Sequence, residues 1–90
     1  MSEVEVPDKS LEVVKKSVDR EKRITELKLE RLRERVESFE GEYGMESDEF
    51  RERFESGELG DDKDFMEWDV YLDAIEELEQ RREELSKFGR

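Results

Sequence analysis

Residues 39–68 read FEGEYGMESDEFRERFESGELGDDKDFMEW, and this stretch decides how the chain runs. Gly41 and Gly44 frame a break, Gly-Glu-Tyr-Gly, of the kind that ends a helix. Ser47 then suits an N-cap, with Asp48 and Glu49 in the first turn, where negative charge meets the positive end of the helix dipole. Phe50 and Phe54, four apart, share one face of a short helix that Gly57 closes. Glu58-Leu59-Gly60 is a turn. Asp61 or Asp62 caps the next helix, and Asp64 adds a negative charge near its start. The stretch predicts an elbow built around one short helix, at about 48–56.

Upstream, Pro7 is the one proline, and residues 1–9 read as a loose, flexible arm. Ser10 suits an N-cap with Glu12 in the first turn, and nothing breaks a helix from there to about Glu40. Leu11, Val14 and Val18 start an apolar stripe that Leu29, Leu32, Val36, Phe39 and Tyr43 continue at helical spacing. Between the two runs the register falls on Lys22 and Thr25, while Ile24 and Leu27 sit on an adjoining face, so the stripe is expected to slip in mid-helix. A helix over about 10–40 is on the order of 45 Å long. Downstream, Phe65, Trp68, Leu72, Ile75, Leu78 and Leu85 form the apolar face of a helix over about 62–88, with Tyr71 alongside and Gly89 as its stop. Helices joined by short connections usually pack antiparallel. The predicted fold is all-α, one domain over 10–90, an antiparallel helical hairpin of two long helices joined by a short one. Its aromatic residues gather at the elbow.

Composition narrows what such a hairpin does. Ninety residues hold one small domain at most. The chain contains no histidine and no cysteine, which removes imidazole acid–base chemistry, thiolate catalysis, zinc sites and disulfides. The hydrophobic fraction of 32% makes a thin core, and ordering the chain costs about 1.5 kcal/mol per residue. Help from a second chain is therefore expected, either another copy, as a homodimer, or a different protein. The N-terminus is acidic and lacks the apolar run of a secretory leader, and no segment approaches the roughly 20 apolar residues of a membrane span. With no cysteines the cytoplasm is the expected compartment.

Charge is spread unevenly. Residues 1–40 carry 10 basic and 11 acidic side chains, whereas residues 41–80 carry 3 basic and 16 acidic, a net of −13. Such a surface repels nucleic-acid and membrane phosphates and steers toward a basic partner. The blander reading is that acidic helices are simply soluble. Residues 9–35 hold 10 basic and 6 acidic side chains, but these alternate in sign and no helix-turn-helix pattern accompanies them, so a solvated face is favoured over DNA contact.

The acids Glu58, Asp61, Asp62, Asp64 and Glu67 invite a calcium or magnesium reading. Their spacing does not match an EF-hand loop, and helix capping accounts for the same residues without an ion. No phosphate loop, nucleophile elbow or cleft-forming carboxylate pair is present, so no catalytic residue, metal or cofactor is expected. Trp68 suits either the core, against Phe50 and Phe54, or an interface anchor, and core packing is favoured. Candidate partner-binding residues are Phe50, Phe54, Asp61, Asp62, Asp64, Phe65 and Trp68.

The run Phe39–Met45, with Glu49-Phe50, Phe54, Gly57-Glu-Leu-Gly-Asp-Asp62, Asp64-Phe65 and Glu67-Trp68, resembles small acidic antitoxin-like proteins of the pattern KYGM…EFxxxFxxGELGDDxDFxEW. These are encoded beside small toxins of the TumE type. The likeness covers roughly residues 29–80, and Gly57–Asp62 is its most distinctive part. Glu42 lies where the pattern has lysine ahead of Tyr43, and Gly41 before it stands in place of a helix former, which leaves the end of the first helix open. The resemblance implies a toxin–antitoxin role, with this chain as the inhibitor of a small basic toxin-like protein. The alternative from the residues themselves is a homo-oligomeric structural or adaptor protein, built as a coiled coil or four-helix bundle.

Overall fold

A computed structural model describes residues 8–88. Three helices follow in order: α1 (Asp8–Tyr43), α2 (Ser47–Glu55) and α3 (Lys63–Lys87). α1 and α3 pack along each other in antiparallel fashion, and α2 lies at the turn between them. This is the all-α helical hairpin that the sequence predicts. Its Cα atoms extend over 66 × 22 × 21 Å.

α1 starts earlier than Ser10, so Ser10 is an interior residue rather than the N-cap. Asp8 and Lys9 join the helix. The rest of the predicted arm, residues 1–7, lies outside the described residues. At the other end α1 runs through Gly41 and stops at Gly44, whose φ is +62°. The Met45 N–H donates to the Glu40 carbonyl at 3.2 Å, the closing bond of a Schellman motif. α2 ends in the same way. Gly57 has φ +82°, its N–H donates to the Phe54 carbonyl at 3.1 Å, and the Glu58 N–H reaches the Arg53 carbonyl at 3.0 Å. Of the two glycines expected to break the first helix, only the one in the left-handed region does so.

The core is small: Leu29 and Val36 from α1, Phe50 from α2, and Phe65, Trp68 and Ile75 from α3. Leu32, Phe39, Tyr43, Phe54, Tyr71 and Leu72 are among the partly buried side chains around it. The stripe on α1 does not slip. Thr25 is 2% exposed, in line with Leu29 and Leu32, and its Oγ1 donates to the Glu21 carbonyl at 2.8 Å. A threonine whose hydroxyl is satisfied within its own helix can be buried without an orphan polar atom. Ile24 and Leu27, on the adjoining face, are exposed. Toward the open end the two long helices are joined by ion pairs, Arg33–Glu79 at 3.4 Å, Arg82–Glu26 at 3.1 Å and Arg81–Glu21 at 3.4 Å. These are exposed pairs, each contributing at most about 1 kcal/mol. Among the described residues no helix is long and apolar enough to cross a membrane.

Candidate protein-binding surface at the elbow

The elbow is held by a chain of hydrogen bonds through all three helices. The Trp68 indole N–H on α3 donates to Ser47 Oγ at 3.1 Å. Ser47 in turn donates from both its hydroxyl and its backbone N–H to Glu40 Oε2, each at 2.9 Å. The predicted cap on α2 is thus corrected. Glu46 occupies the N-cap position without a side-chain bond, Ser47 is the first helical residue, and the carboxylate at the positive end comes from the last turn of α1. Only the tertiary fold brings Glu40 there. Asp62 does take the N-cap position of α3, again without a side-chain bond.

Around this chain the aromatic rings stack. Phe50 and Trp68 lie 3.9 Å apart between centroids with planes only 3° from parallel, and Phe39 lies 5.7 Å from Trp68 on the α1 side. Tyr43 meets Phe65 at 4.9 Å, and its hydroxyl donates to Asp64 Oδ2 at 2.5 Å. That bond, then burial, then the negative charges of Asp64, Glu42 and Asp62 push the Tyr43 phenol up from 10 to about 12. Each of these causes favours the protonated phenol.

A second polar node ties α2 to α3. Arg51 forms ion pairs with Glu76 at 3.0 Å, with Asp73, and through Nε with Asp69 at 3.6 Å. Burial works against the guanidinium charge, but the hydrogen bond to Asp73 and the charges of Asp73, Glu76 and Asp69 outweigh it and raise its pKa above the ordinary arginine value. Arg51 Nε is buried without a hydrogen bond, because 3.6 Å is ion-pair distance but too long for one. In sequence Arg51 looks like any solvated helix charge; nothing local marks it as the cation among three acids of another helix.

The predicted partner-binding residues therefore divide into two groups. Phe50, Phe65 and Trp68 are core side chains, and Phe54 is half-buried against Phe50 at 5.3 Å. Asp64 is half-buried and engaged by Tyr43, while Asp61 and Asp62 are exposed. Among the described residues no three carboxylates converge on a point where a metal ion would sit. Sequence reasoning passed over the apolar groups that do reach the surface here. Met66 and Val70 are more than half exposed on the outer face of α3. With Asp61, Lys63, Glu67 and Tyr71 they line a shallow depression of about 400 Å³. The signal was present in the i, i+4 spacing of Met66 and Val70, one step off the stripe that carries Phe65 and Trp68. No family model, curated protein or solved structure matches this chain.

Proposed function

We propose that this chain is a non-enzymatic protein-binding module of the cytoplasm, the inhibitory, antitoxin-type member of a pair whose other member is a small basic protein. The observation that carries this reading is the elbow surface: an apolar depression at Met66 and Val70 within a segment of net charge −13. Acidic residues around a small apolar patch provide long-range attraction for a basic surface and an anchor once it arrives. The aromatic core beneath keeps α3 rigid, so little ordering cost falls on the binding step. Co-expression and pull-down with the product of the adjacent gene test the reading, which requires that product to be a small basic protein. Capture is expected, lost with Val70→Asp and weakened by added salt. Failure of the wild-type chain to capture it would remove the inhibitor role.

A second reading, self-association as a homodimeric adaptor, is favoured by a different observation. α1 has 36 residues against 25 in α3, and its apolar stripe continues past the end of its neighbour.

A further inference from the structure

Cross-helix pairs fix the register of the hairpin. Tyr43 meets Asp64, Phe39 meets Trp68, and Glu26 meets Arg82. At the same rise in both helices, Lys87 at the end of α3 comes level with about residue 20 of α1. The first turns of α1 therefore run on past α3, with no helix beside them among the described residues. Leu11, Val14 and Val18 in that overhang lie on the same helical face as Thr25, Leu29 and Val36, the face that α3 covers further along. Leu11 is 50% and Val14 55% exposed, and Phe88, at the C-cap of α3, is 74% exposed. Together they leave a half-built seam at the open end of the hairpin.

We infer that a second copy of this chain completes that seam, with the two overhangs packed antiparallel and the hairpins end to end. This rests on the self-association reading and assigns it a surface. Two observations choose the occupant. The first is charge. Two chains of net charge −12 repel, and the segment 41–80, which includes the elbow and carries −13, repels most, but residues 10–20 carry three basic against two acidic side chains. The open end is where two copies approach without that penalty. The second is spacing. Leu11 and Val18 lie three before and four after Val14, so an antiparallel pair centred on Val14 sets Leu11 of one copy beside Val18 of the other. That is the self-complementarity a two-fold contact requires. Each overhang also occupies the line that the partner's α3 vacates. With few apolar side chains on each side, the dimer is a weak one that responds to concentration.

Sedimentation of the full chain from micromolar to millimolar tests this, with circular dichroism confirming that each variant is helical. The wild type is expected to move from its 10.9 kDa monomer toward twice that mass. Val14→Glu should stay monomeric with an unchanged melt at low concentration, and Val70→Asp should dimerise like the wild type. Because the chain has no cysteine, oxidation adds a geometric test. Val14→Cys on the two-fold axis should cross-link between copies, whereas its neighbour Val13→Cys, 62% exposed on another face, should not. A wild type that stays monomeric throughout overturns both self-association and this surface. A dimer unmoved by Val14→Glu, or one lost with Val70→Asp, overturns this surface alone. A monomer that Val14→Glu destabilises overturns it too, since the stripe is then covered within the chain.

Discussion

Trp68→Ala removes a side chain that meets all three helices at the elbow. The indole is 0% exposed, stacked on Phe50 of α2 at 3.9 Å and near Phe39 of α1 at 5.7 Å. Truncating a buried aromatic ring costs about 3–5 kcal/mol through lost transfer energy and the cavity left behind. Its hydrogen bond to Ser47 adds about 1 kcal/mol. Domains of this size carry about 5–15 kcal/mol in total, so the loss is a large share. At about 4–8 °C per kcal/mol, the combined loss of about 4–6 kcal/mol should lower the midpoint by roughly 16–48 °C, read by circular dichroism during heating. Trp68→Phe separates the two contributions. It keeps a ring stacked on Phe50 and loses the N–H, so about 1–2 kcal/mol is expected. In urea the wild type's single tryptophan reports the same transition by fluorescence. A loss below about 1 kcal/mol for Trp68→Ala would refute the reasoning, because it would mean the elbow packs equally well without the indole.

Other outcomes follow from particular residues. Gly41 and Gly44 are three residues apart, and a Cβ at either meets nothing within 4 Å, yet alanine should act in opposite directions. Gly41→Ala should stabilise α1 by about 0.5–1 kcal/mol, while Gly44→Ala, at φ +62°, should cost about 1–2 kcal/mol in the left-handed region; paired urea melts read both. Tyr43 should ionise near pH 12 by ultraviolet absorbance, returning toward 10 in Asp64→Asn. The folded chain holds this proton more tightly than the unfolded one, so the stabilisation is complete below about pH 10 and fades as pH rises through 12. Arg51→Met leaves Asp69, Asp73 and Glu76 facing one another and should cost about 2 kcal/mol. Added salt should recover part of that by screening the three acids, as denaturant melts with and without salt would show.

Local chemistry determined most of the architecture. The 3–4 spacing of Leu29, Leu32, Val36, Phe39 and Tyr43, the glycines at 44 and 57, and the acids before α2 and α3 state helix, stop, helix, stop, helix without reference to anything distant. Each is a property of residues within one or two turns, which is why the pattern alone carries it. The aromatic elbow was legible for the same reason, since three stripes that all end in aromatics at one turn have few other places to bury them. Whether Gly41 or Gly44 ends α1 was not legible, because both permit a left-handed residue and only the packing of Tyr43 on Phe65 and Asp64 holds the helix open to Tyr43.

Contacts between elements were decided by tertiary structure alone. Glu40 caps α2, Arg51 sits among three acids of α3, and Thr25 is buried in a stripe that looked broken, because each depends on where a different helix lies and how its polar atoms are satisfied. The exposed groups were hidden for the complementary reason. Met66, Val70, Leu11 and Val14 are ordinary apolar residues in sequence, and only the register of α3 against α1 shows which of them the fold leaves uncovered. The chain writes its helices locally, whereas the surfaces available to a partner are what remains after those helices have buried one another.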